Sequence, residues 1–240
     1  MFHTFFLEPV YNIVVFFLNI IPTHDIGIAI ILTTLLVKII LLKINISSQR
    51  SSYLMKSLEG DINKIKERHK GDNKKIAEET MALYKEKKIK PFASILGLVI
   101  QLPVFFALYF VFRDGIKLDQ SLIYSFVQFP VHVKELAFGF MDITQKYWVL
   151  GVLTGISMFI LAKRQASLTG IKKDNKSTDF KTVFAKNMQF QMTYFLPIFA
   201  GFSSAMFPAV IGIYWTVNNI LSIFQDIYIK KQLKKEGLIK

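Results

Sequence analysis

Cysteine is absent from the 240 residues, which excludes disulfides and thiolate metal sites. Histidine is scarce, and His3, His24, His69 and His132 are scattered without ligand spacing. No glycine-rich phosphate loop occurs. Acidic residues number only 17, and none falls inside a long apolar run. The last absence argues against a proton-coupled transporter and against intramembrane hydrolysis. With no catalytic constellation in sight, the chain is expected to be no enzyme and to need no cofactor, metal or nucleotide.

What the chain does have is apolar and basic. Hydrophobic residues make up 52% of it, and 30 Lys+Arg give a net charge of +13. The mean hydropathy of +0.38 is too high for an ordinary soluble domain. Apolar blocks alternate with basic blocks, the pattern of an all-α polytopic membrane protein. Because the charges flank apolar runs, anionic lipid headgroups are the expected partner, rather than any specific nucleic-acid sequence.

Residues 1–25 form an N-terminal segment. Met1 to Leu7 lacks the basic region of a signal peptide. Val10 to Ile21 is apolar and is closed by Pro22. Its length suits a helix lying in the membrane interface, with a short extra span as the alternative. Span one covers 26–44. Residues 45–90 follow, with a turn signal at His69-Lys70-Gly71-Asp72-Asn73. The arms around it, about Ser48–Lys70 and Asn73–Lys88, predict an antiparallel helical hairpin. Leu54, Leu58, Ile62 and Ile65 recur at helical spacing in the first arm.

Pro91 to Phe112 is 22 residues without a charge, giving span two at 91–112. The loop 113–146 contains Phe126, Phe129, Phe138 and Phe140, which suit the membrane interface. Span three is 147–162, and a basic loop occupies 163–187. Asn187 to Gln225 holds 39 uncharged residues. At about 1.5 Å per residue this is roughly two crossings of a ~30 Å hydrocarbon core. Spans four and five are therefore placed at 188–205 and 208–226, with a basic tail at 227–240. Of the 30 basic residues, 25 collect on one side of this arrangement. The positive-inside rule puts that side in the cytoplasm, with the N-terminus out and the C-terminus in, in a cell (plasma or inner) membrane.

Within the apolar runs, polar residues are few and aligned. Lys38 stands alone in the run Ile26–Leu42, where a central lysine costs roughly 2.5–3.5 kcal/mol on insertion scales. Thr34 precedes it at i,i+4, and Gln101 lies near the middle of span two. Span five carries Trp215, Asn218, Asn219 and Ser222 as one stripe. Lipid cannot satisfy such groups, so they should face each other or water. One expectation is a hydrophilic groove lined by Lys38, Thr34, Gln101, Trp215, Asn218, Asn219 and Ser222. Two alternatives stand beside it: polar contacts that merely join helices, and a lysine that snorkels to headgroups.

Three stretches carry a family resemblance. Asp25-Ile-Gly-Ile-Ala-Ile-Ile-Leu-Thr-Thr-Leu-Leu-Val-Lys38 resembles the first conserved span of the YidC/Oxa/Alb membrane protein insertases. Gln101-Leu-Pro103-Val-Phe-Phe-Ala-Leu-Tyr109 is similar to that family's second-span signature. Phe207-Pro208-Ala-Val-Ile-Gly-Ile-Tyr214-Trp215-Thr-Val-Asn218-Asn219, ending in Phe224-Gln225, is similar to its last span. The family usually has arginine where this chain has Lys38, and proline where it has Lys43. Lysine keeps the charge and loses the planar five-donor fork.

The resemblance implies a compact membrane protein insertase or chaperone. Such a protein receives hydrophilic segments of nascent membrane proteins in its groove and releases their hydrophobic segments into lipid. It works alone or with the Sec translocon, and its basic cytoplasmic segments can contact the ribosome. A non-transporting assembly factor, or a small-solute transporter, remains the alternative function.

Overall fold

The computed structural model describes residues 2–112, 120–128, 136–166, 187 and 190–239. It is mostly helical, as the composition predicts. The expected loop residues 113–119 and 129–135, with Phe129, lie outside the described residues, as does most of the basic loop, 167–186.

Helix α1 spans Glu8–Ile20 and continues a π-helical turn at His3–Leu7. The helical stretch His3–Ile20 is therefore longer than the apolar run suggested, and is long and apolar enough to cross a membrane. It does not lie apart from the bundle, since Val10, Val14 and Leu18 are buried in the main core. Asn12 fixes it there. Its side chain donates to the Leu122 carbonyl and accepts from the Tyr124 backbone N–H, at 2.7 and 2.8 Å.

Helix α2 runs Ile26–Ile40, capped by Asp25, whose carboxylate accepts from the Ile28 N–H at 3.1 Å. The chain then bends by 65° into α3, Leu42–Ser57. The span expected at 26–44 is thus broken at Leu41. The expected first hairpin arm is also divided, into α3 and α4, Glu59–Arg68. Helix α5, Asn73–Glu86, returns after the turn at Gly71, with Asp72 as its cap. Ile65 is the buried residue of the predicted α4 stripe, while Leu54 packs toward the end of the last helix.

Helix α6 spans Ala93–Phe112 and contains Pro103. A two-stranded ribbon follows, β1 Leu136–Ala137 paired antiparallel with β2 Met141–Asp142. The aromatic pattern gave no hint of it. Phe126 and Phe140 are exposed, while Ala137, Met141 and Ile143 enter the core. Helix α7 is Trp148–Ala166, α8 is Leu196–Met206 after a π-helical turn at Gln191–Phe195, and α9 is Ala209–Lys235.

The core is built by α1, α2, α6 and α9 around Leu18, Ile30, Leu108, Phe112, Ile211 and Tyr214. Helices α7 and α8 form the other part of the bundle and approach closely through glycine. A Cβ on Gly151 would meet the Gly201 carbonyl oxygen at 2.6 Å and the Ala205 Cβ at 2.7 Å. Gly151→Ala should therefore force the helices apart and cost about 1–3 kcal/mol, as overpacking does. Thermal unfolding in detergent checks this; an unchanged transition would refute the contact. The outward faces are apolar: Phe106, Phe110, Ile156, Ile198 and Phe202 are all exposed. Such a surface suits lipid and not water.

Helix α9 does not stop near residue 226, where a basic tail was expected to begin. It runs on to Lys235 because Ile229 and Leu233 continue its apolar face and bury against Tyr53 of α3. Arg50 closes the end with a forked pair to Glu236 at 2.5 and 3.2 Å. That hydrogen bond holds the Glu236 carboxyl below the usual carboxylate range. A depressed carboxyl contributes above its unfolded-state value, and the contribution disappears as pH falls through the folded value. Protection from hydrogen exchange over residues 229–236, with the intrinsic pH dependence of exchange divided out, should stay flat from neutral pH down to the ordinary carboxylate range and fall below it. A fall in protection on mild acidification from neutral pH would contradict the pairing.

Candidate functional site

Lys38 lies in the last turn of α2, just before the bend. Its half-buried side chain reaches across to α9. Nζ donates to Asn218 Oδ1 at 3.1 Å and to Ser222 Oγ at 2.7 Å. Ser222 Oγ in turn donates to the Asn218 carbonyl at 2.7 Å. The helical spacing i,i+4 aims Asn218 and Ser222 at the same point. Among the described residues, no carboxylate pairs with this ammonium. An ammonium has three N–H donors, so these two neutral acceptors leave one donor free for an anion.

The other predicted residues divide. Thr34 is buried, but its hydroxyl donates to the Ile30 carbonyl of its own helix at 2.7 Å. Gln101 donates from Nε2 to the Tyr214 hydroxyl, joining α6 to α9. Trp215 stacks on Phe105 of α6, with ring centroids 5.3 Å apart and planes 19° apart. Asn219 turns away from Lys38 and donates to Ser157 Oγ of α7 at 3.1 Å. The stripe on α9 is therefore two-sided. One residue along a helix rotates the side chain by about 100°, which separates Asn219 from Asn218.

Sequence reasoning missed the polar cluster on that second side. Thr154 Oγ1 lies 3.0 Å from both Ser204 Oγ and Thr216 Oγ1, tying α7, α8 and α9 together. Thr154 and Ser157 at i,i+3 in an apolar run were the available signal. Tyr214, 1% exposed, was missed as the partner of Gln101. Among the described residues, no group of three or more His, Asp or Glu could hold a metal ion.

At the hairpin end, Asp226 of α9 is buried. It accepts from the Tyr53 hydroxyl at 2.8 Å and from Arg164 Nε of α7 at 2.6 Å. Burial and the Asp226 carboxylate push the Tyr53 hydroxyl well above its usual value, so it stays a donor.

The whole arrangement can attract and exchange an anionic or hydrogen-bonding polypeptide segment beside an apolar exterior. Comparison with known proteins gives the family. The family model described as 60Kd inner membrane protein matches residues 16–236. The chain is 32% identical over 236 residues to the "Membrane protein insertase YidC" of Nitrosococcus oceani, covering 98% of this chain and 38% of that protein. It is 33% identical over 232 residues to the protein of the same name from Magnetococcus marinus, covering 97% of this chain and 36% of that one. The one from Marinomonas sp. is 33% identical over 211 residues, covering 88% and 33%. The chain thus spans about a third of the length of these curated relatives. With the three quoted stretches inside the matched region, this mostly helical chain belongs to the 60Kd inner membrane protein (YidC/Oxa/Alb) family.

Proposed function

We propose that this chain is a membrane protein insertase of the inner membrane. The observation that carries this reading is the Lys38 ammonium, held between two helices by neutral acceptors that a client can replace. An acidic or polar client segment is drawn to Lys38 and exchanges hydrogen bonds with Asn218 and Ser222. Those bonds fix no sequence. The client's apolar segment then partitions into lipid along the exposed apolar faces, driven by hydrophobic transfer. Gln101 and Trp215 brace α6 against α9 beside this path. Asn219 holds α7 and acts on the path only through α9.

The topology that goes with this reading is five spans, with α1 packed against the bundle and not counted as a span, N-terminus out and C-terminus in, and with the helical hairpin and basic stretches in the cytoplasm. Those basic segments are the surfaces for anionic lipid, the ribosome and the Sec translocon. The name of the relatives supports the activity.

The test is insertion of a short single-span client into liposomes containing only this protein, read by protease protection. Protection above empty liposomes is the expected result. No protection from correctly oriented protein would move the reading to an assembly factor that holds partner helices.

A further inference from the structure

Three side chains from three separate helices meet at the hairpin end of the bundle. The Asp226 carboxylate is 1% exposed, with Tyr53 on one oxygen and Arg164 on the other. Tyr53 belongs to α3, the root of the helical hairpin. Arg164 stands in the last turn of α7, where the basic stretch begins. Asp226 lies one turn beyond Ser222, which holds Lys38. One buried carboxylate therefore fastens both basic segments, at their roots, to the helix that carries the candidate site.

Other polar groups on α3 and α9 are left unsatisfied in this arrangement. Both side-chain heteroatoms of Gln225 are buried without a hydrogen-bond partner. On α3, Asn45 Nδ2 and Gln49 Oε1 are in the same condition. Buried polar groups without partners disfavour the arrangement that buries them. A rearrangement that exposes these amides would give them access to water or to a client backbone. The 65° bend at Leu41 supplies a joint between α2 and α3, and element-terminal residues of this kind serve as hinges. A rotation there would move α3, which packs on α6 as well as on α9, while α2 keeps Lys38 in place.

We propose that Tyr53, Asp226 and Arg164 form a latch that closes the cytoplasmic mouth of the site at rest and parts when a client's polar segment arrives. The proposal rests on the insertase reading and on the orientation that goes with it.

The test uses the full chain in liposomes, on a sequence with no native cysteine. Arg50→Cys with Glu236→Cys puts one thiol on α3 and one at the end of α9, at a pair in contact in the unaltered chain. Spin labels there report the α3–α9 separation by pulsed electron paramagnetic resonance, without any client. Tyr53→Phe, which removes one oxygen, and separately Asp226→Asn should each shift the distances to longer values. Unchanged distances in both variants overturn the latch. Joining the two thiols with a short reducible bismaleimide should lower client insertion about tenfold, with recovery on reduction. Undiminished insertion by the joined protein also overturns the latch. Failure of insertion in every sample, joined or not, counts against the insertase reading, while the distances still decide whether the latch exists.

Discussion

Lys38→Ala should lower client insertion in the liposome assay by about tenfold to a hundredfold, while Lys38→Arg keeps most of it. The expectation follows from charge. Two unit charges about 4 Å apart attract by about 4 kcal/mol at an effective dielectric constant near 20. About a third of that is already a factor of ten. The ammonium is half-buried and bridges Asn218 and Ser222 without a carboxylate partner, so its attraction is available to a client. Arginine restores the charge and adds donors, and the family's usual arginine predicts that it fits.

The same substitution should not unfold the protein. Ser222 keeps its bond to the Asn218 carbonyl when the lysine is gone, and removing an intramembrane charge relieves an insertion cost of roughly 2.5–3.5 kcal/mol. A fall in insertion with unchanged thermal stability is therefore the expected signature. Equal insertion by the alanine variant would remove Lys38 from the mechanism.

Asp226→Ala should destabilise the chain by about 2–3 kcal/mol, because one change takes a buried acceptor from two side chains at once. The Tyr53 hydroxyl loses its acceptor, and Arg164 loses its carboxylate. The estimate is kept below the full cost of breaking a buried pair, because the Arg164 side chain is 31% exposed and water recovers part of the loss. Tyr53→Phe should cost about 1 kcal/mol, the ordinary worth of one hydrogen bond. Thermal unfolding in detergent measures both. Loss of protection from hydrogen exchange should begin in residues 226–239, where Ile229 and Leu233 dock on Tyr53. A stable Asp226→Ala protein with an unaltered exchange pattern would show that apolar packing alone holds this helix end.

Much of the candidate site was legible because helices have a fixed period. Lys38 in a charge-free run and Asn218 with Ser222 at i,i+4 each mark one face of one helix, and the structure joins those faces. Asn219 read as part of the same stripe, yet it bonds Ser157 on the other side of α9. Periodicity defines a face to within a broad arc, and the neighbours decide which edge of the arc each residue serves. Thr34 illustrates a second limit, because a threonine in a helix can satisfy itself on the preceding turn.

Helix ends differ from the ends of the apolar runs for related reasons. An apolar run ends where charge begins, but a helix ends where its hydrogen bonds and packing end. Hence α9 continued through Asp226 to Lys235, sheltered by α3. Helix α1 likewise gained a turn at His3–Leu7 and a seat in the core. The 65° bend at Leu41 interrupts a pattern that reads as continuous.

By itself, the sequence determined the helical class, the order of apolar and basic segments, the isolated cation and the three motifs that mark the family. These are properties of composition and of local period, and one chain segment suffices to express them. Only the tertiary structure decided that Lys38 rests on Asn218 and Ser222, that Gln101 meets Tyr214, and that Tyr53 and Arg164 converge on Asp226. Each of those contacts depends on the rotation and crossing of two helices far apart in the chain. That geometry is set by how all their side chains pack together, such as Gly151 against Gly201, and not by the pattern along either helix.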